Sequence, residues 1–126
     1  MKHYLLVGIG GALGSMLRFA MGSLLGGRIG VRLPLGGTLV INVSACFMIG
    51  LTLEYLNRHN GLSPAWRYLI PIGFIGGFST FSTFEWEAWS RLTSGAFWLG
   101  LGYVVVSIVA GFIAVALGIS AARAIS

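Results

Sequence analysis

Leu92-Thr93-Ser94-Gly95-Ala96-Phe97-Trp98-Leu99-Gly100-Leu101-Gly102-Tyr103 opens a stretch of 31 residues, running on to Ala122, that contains no formally charged side chain. About 20 mostly apolar residues carry a helix across a bilayer, and a helix satisfies its own backbone polar groups there. This stretch therefore holds a transmembrane helix. Working back toward the N-terminus, the same kind of run recurs. One extends from about Trp66 to Trp89, with Glu85 and Glu87 near its end. Another extends from about Gly36 to Leu53 and stops at Glu54. The first begins at Tyr4, reaches about Gly27, and is interrupted only by Arg18. The reading is an all-α membrane protein with four transmembrane helices in a single domain over 1–126, its spans at about 4–27, 36–56, 66–90 and 96–122. Turn residues fall between the runs: Gly26-Gly27-Arg28 with Leu33-Pro34, then Asn57 to Gly61, then Thr93-Ser94-Gly95. Barrel strands would alternate apolar and polar side chains, and these runs are continuous.

Composition agrees. Eight Lys+Arg and three Asp+Glu make 11 charged residues in 126, or 9%. A soluble domain carries roughly 25%. With 56% hydrophobic residues and a mean hydropathy of +0.90, disorder and most soluble folds are excluded. The Lys2-plus-apolar start also fits a cleaved leader, but the remainder would still be a membrane protein. The single Cys46 excludes an intrachain disulfide framework and a Cys-based zinc site. His3 and His59 fall at a terminus and in a loop, so no catalytic constellation forms and no enzyme is expected. The basic residues gather where helices meet headgroups, without an aromatic-basic pattern, so nucleic acid is not an expected partner.

With an even number of spans, Lys2, Arg58, Arg67 and Arg123 share one side and Arg28, Arg32 and Arg91 the other. Four against three gives almost no positive-inside preference. That balance fits either a weakly biased single orientation or insertion in both orientations with antiparallel pairing. Small residues at helix spacing suit close helix contacts: Gly10 and Gly14, Gly22 and Gly26, Gly73 and Gly77, Gly111 and Gly118.

Polar side chains inside a span are costly and point to function. Arg18 continues the Gly10–Gly14 stripe of the first helix, either snorkelling to headgroups or attracting an anion in a vestibule. Thr38, Asn42 and Ala45 share a face of the second helix. The Asn42 amide either bonds a neighbouring helix or offers its NH₂ to a permeating species. The third span contains Gly73-Phe74-Ile75-Gly76-Gly77-Phe78-Ser79-Thr80-Phe81-Ser82-Thr83-Phe84. Its Gly-Gly pair predicts a broken helix near 75–80, with Ser/Thr side chains capping freed groups and unwound carbonyls able to hold Na⁺. Phe81 and Phe84 fall on one face, where they either pack or present positive ring edges to a small hard anion. Tyr103, Ser107 and Gly111 make one stripe of the fourth helix. Glu87 closes the third span as an ion-pair partner or a gate.

Taken together, Gly10 to Gly14 with Arg18-Phe19, Gly37 to Val43, and above all Gly73 to Phe84 resemble the Fluc (CrcB) fluoride channels over essentially the whole chain. The resemblance implies an antiparallel dual-topology homodimer in the bacterial cytoplasmic (inner) membrane, with two fluoride pathways. It implies pathway roles for Asn42, Phe81 and Phe84, a hydroxyl track through Thr83, Tyr103 and Ser107, to which Ser82 and Thr38 are added, and a vestibule Arg18. It also implies a structural Na⁺ at the dimer centre, held by the backbone carbonyls of Gly76 and Ser79 from each copy. The function so implied is passive fluoride export. Two other classes remain for comparison. A small multidrug-type proton-coupled transporter needs a membrane-embedded acid, and the first span offers Arg18 instead. A non-transporting adaptor subunit accounts for the Gly pairs but not for the polar stripes.

Overall fold

The structure is a computed structural model that describes residues 1–28 and 36–126; Arg32 and the Leu33-Pro34 turn lie outside the described residues. Helix α1 spans Lys2–Arg28 and α2 spans Gly36–Arg58. The third segment starts with α3 (Ala65–Arg67), passes through a π-helical turn (Tyr68–Ile75) and ends its first half in α4 (Gly76–Phe78); α5 (Phe81–Thr93) forms its second half. Helix α6 spans Phe97–Ile125. Three of these, Lys2–Gly26, Gly36–Arg58 and Phe97–Ile125, are long and apolar enough to cross a membrane as single helices. The chain is a multi-pass integral membrane protein.

The third segment is the exception, and its two irregularities have separate causes. Pro71 lacks an N–H, and in an α-helix its ring would strike the carbonyl four residues back. The chain widens there into π geometry. The break itself falls at Ser79 (φ −74°, ψ 159°) and Thr80 (φ −148°, ψ 115°). This lies within the interval expected to be broken, but not at the glycines. Gly76 is helical (φ −62°, ψ −36°), so the Gly-Gly pair does not unwind the helix.

Those glycines serve close approach instead. A Cβ at Gly77 would lie 2.5 Å from the Gly11 carbonyl oxygen, and Cβ atoms at Gly10 and Gly14 would overlap the carbonyls of Leu69 and Phe74. Helix α1 therefore packs backbone to backbone against 65–78. A second such seam joins α2 to α6, where Cβ atoms at Gly50 and Gly118 would overlap the carbonyls of Val115 and Phe47. Gly22 and Gly26 meet nothing within 4 Å, so that pair makes no seam among the described residues. Gly95, at φ 87°, turns the chain from α5 into α6 in a conformation that favours glycine.

Two buried clusters sit on either side of the break. Ile41, Ala45, Ile75 and Phe78 form one; Phe84, Ala88 and Tyr103 form the other. At the opposite end of α2, Glu54 Oε1 accepts from Arg58 (3.0 Å) and from Arg123 of α6 (2.8 Å). Exposed Leu13, Phe19, Trp98, Val105, Phe112 and Leu117 present the apolar exterior that a bilayer requires.

Candidate ion pathway at the broken helix

Asn42 determines the geometry of the break. Its Nδ2 donates to the Thr80 carbonyl (2.9 Å) while its Oδ1 accepts from the Thr80 N–H (2.9 Å). A side-chain amide thus replaces the partners that helix continuation would have supplied to an extended residue. Of Asn42's two N–H donors, one is left over. Thr80 is buried, and its hydroxyl both caps α5 by accepting from the Thr83 N–H (3.4 Å) and donates to Thr83 Oγ1 (3.0 Å). Thr83 receives a proton there and keeps its own.

From the other side, α1 reaches the carbonyls at the end of α4. Ser15 Oγ donates to the Gly77 carbonyl (3.3 Å) and Arg18 Nη1 to the Ser79 carbonyl (3.4 Å). Because the Thr80 N–H is taken by Asn42, the Gly76 carbonyl is released from the next helical turn. Carbonyl oxygens suit a hard cation such as Na⁺; Gly76 and Ser79 both line one groove, and the Ser79 carbonyl already accepts from Arg18. No cluster of three or more His, Cys, Asp or Glu occurs among the described residues.

That groove has a volume of about 400 Å³. Asn42, Gly76, Ser79, Thr80, Phe81, Phe84 and Ser107 line it, together with Ala45, Cys46, Ile49, Pro71, Ile75 and Ile108. None of these residues is formally charged. Phe84 is only 8% exposed and Phe81 74%, with ring centroids 6.0 Å apart and planes at 43°. Ser107 Oγ is buried and makes no hydrogen bond among the described residues. A buried hydroxyl without a partner costs free energy unless something occupies the space in front of it.

The structure does not bring every expected pathway residue to this groove. Thr38 Oγ1 and Tyr103 Oη donate to the two carboxylate oxygens of Glu87, each at 2.8 Å. Arg91 donates to the Glu87 carbonyl (2.8 Å), approaches its carboxylate (3.9 Å) and lies 4.8 Å over the Tyr103 ring. Glu87 is thus the acceptor that joins α2, α5 and α6. Tyr103 is next to a groove residue, since its ring lies 5.2 Å from that of Phe84. Ser82 and Thr83 are exposed on α5, and Arg18 stands behind the break rather than in the groove. Thr80 and Ser15 were not singled out in the sequence. The signal for Thr80 was a Thr just ahead of a new helical run, the residue type that caps helices; Ser15 carried none.

A family described as CrcB-like protein, Camphor Resistance (CrcB), matches residues 5–119. A protein of Solibacter usitatus is 43% identical over 120 residues, covering 95% of this chain and 98% of its own. One from Acidobacterium capsulatum is 47% identical over 115 residues, 91% of each chain. One from Rhizobium meliloti is 41% identical over 124 residues, 98% of each. All three carry the name fluoride-specific ion channel FluC.

Proposed function

The chain belongs to the CrcB-like family, and from that premise we propose that it is a fluoride-specific ion channel whose path runs along the groove beside the break. Its relatives are named as channels, and it acts as a conduit rather than as an enzyme. The single observation that carries this reading is the orphaned Ser107 hydroxyl on an uncharged, phenyl-edged wall.

Fluoride is small and strongly hydrated. A path must replace its water with donors, yet hold the ion weakly enough to release it. Ser107 supplies a hydroxyl proton with no competing acceptor. Asn42 supplies its remaining N–H; Thr83 keeps a proton of its own but lies outside the groove lining. The Phe81 and Phe84 edges add the positive rim of the ring quadrupole. A full positive charge in the narrow part would trap the ion, and the groove has none. Glu87 is a structural acceptor here: Thr38, Tyr103 and Arg91 hold its negative charge to one side of an anion's route. A proton-coupled exchange mechanism would need a carboxylate free to exchange protons, and Glu87 is occupied by these donors.

Flux is passive, out of the cell through the inner membrane, driven by the interior-negative potential at about 2.3 kcal/mol per elementary charge per 100 mV. The working unit is an antiparallel homodimer with a structural Na⁺ between its copies. The Gly76 and Ser79 carbonyls of one chain would supply half of its ligands, and Na⁺ would offset the negative C-terminal ends of the two 65–78 helical stretches.

Fluoride-electrode efflux from proteoliposomes tests the reading. Wild-type protein should release trapped fluoride, and Ser107→Ala should slow release about five- to thirtyfold, the effect of losing roughly 1–2 kcal/mol of donor interaction. Equal release by wild type and empty liposomes would end the proposal.

A further inference from the structure

A second cavity, of about 170 Å³, lies at the other end of the molecule, between the end of α2 and the start of the third segment. Leu56, His59, Asn60, Leu62, Ser63, Pro64 and Arg67 line it. We propose that this pocket binds the phosphate of an anionic lipid headgroup.

The walls are prepared for such a ligand. Arg67 is half-buried, and its Nη2 donates to Asn57 Oδ1 (2.6 Å), which holds the guanidinium across the gap between the two segments. Four further guanidinium donors remain on that side chain. His59 is fixed in turn, its Nδ1 hydrogen-bonded with the Tyr55 carbonyl (2.9 Å) and its ring stacked on Tyr55 with centroids 4.1 Å apart. A ligand therefore meets a cation whose ordering cost has already been met, and a planar fork suited to phosphate oxygens.

Charge at this end favours an anion. Lys2, Arg58, Arg67 and Arg123 all lie here, and Glu54, the acid among them, is occupied by Arg58 and Arg123. Basic pockets between membrane helices take lipid headgroups in this way. Depth and chemistry favour a lipid over free phosphate. The pocket begins where α2 leaves its apolar span at Arg58. Exposed Trp66 flanks it, as interfacial aromatics do. Leu56, Leu62 and Pro64 offer an apolar wall to the glycerol and first acyl carbons, which inorganic phosphate would leave unused.

The test is native mass spectrometry and thermal unfolding of the full chain in detergent, with phosphatidylglycerol, phosphatidylcholine or inorganic phosphate added. Phosphatidylglycerol should stay bound and raise the melting temperature; the other two should not. Arg67→Gln should bind phosphatidylglycerol about fivefold or more weakly, the factor expected for one basic residue. Leu62→Asp, an exposed-position change that sets a carboxylate beside the phosphate, should give the same loss and serves if Arg67→Gln fails to fold. Arg58→Gln, equal in charge change but outside the pocket, should lose clearly less than Arg67→Gln does. An equal loss in Arg58→Gln would mean diffuse attraction and overturn the site. Equal stabilisation by inorganic phosphate would overturn the lipid as its ligand, and no preference over phosphatidylcholine would overturn both.

Discussion

Asn42 both clamps the break and lines the groove beside it. Asn42→Ala strands the buried Thr80 N–H and carbonyl, each at about 1–3 kcal/mol. We expect a melting temperature several degrees lower together with loss of fluoride flux; unchanged stability would show that the break is held by other means. Asn42→Asp keeps the acceptor for the Thr80 N–H but removes the donor and sets a negative charge in an anion's path, so flux should fall more than stability. Glu87 belongs to this scale as well. Glu87→Leu leaves the Thr38 and Tyr103 hydroxyls without their acceptor, and unfolding should become easier by about 2–4 kcal/mol. Sequence showed that Thr38, Tyr103 and Glu87 were polar residues in or near spans. It could not show that the two hydroxyls aim at the carboxylate, because donor direction depends on how three helices meet.

At the scale of elements, the third segment divides the work. Its first half is a packing surface for α1, and its second half carries the phenyl pair. Gly14→Ala drives a methyl group into the Phe74 carbonyl, which is backbone and cannot swing aside. It should cost about 1–3 kcal/mol or more and should be read in thermal unfolding, whereas Gly22→Ala, facing open space, should be neutral. Phe84→Ile keeps an apolar side chain in the cluster with Ala88 and Tyr103 but removes the ring edge. Fluoride flux should drop at least about tenfold while the protein stays folded; intact flux would remove the rings from the mechanism. The break was legible from the run of Gly, Ser and Thr in an apolar span, but its position was not. Gly-Gly reads as a weak point in an isolated helix, yet here helix α1 lies against it, and the pairing available from Asn42 decides that Ser79 and Thr80 unwind. The π-helical turn at Pro71 went unread for a similar reason: the proline was visible, but the widened turn depends on the helix continuing past it.

Across the whole molecule, the four segments and the membrane setting were the most legible features, since they rest on apolar runs that few charges interrupt. Charge balance left orientation open, as four basic residues against three must. A chain that inserts both ways and pairs antiparallel should show both termini on both membrane faces in accessibility labelling, and one face only if the orientation is single. Removing Na⁺ in favour of a bulky organic cation should slow fluoride flux without Na⁺ itself being carried, because the carbonyl site would lose its ligand; full conductance in Na⁺-free buffer would remove the ion from the account. The central claim is that neutral dipoles and ring edges, with no formal charge, stand in for the hydration shell of one small halide. It is tested most directly by measuring fluoride and chloride efflux side by side from the same proteoliposomes. The account predicts rapid fluoride release with chloride retained, and comparable release of both ions would contradict it.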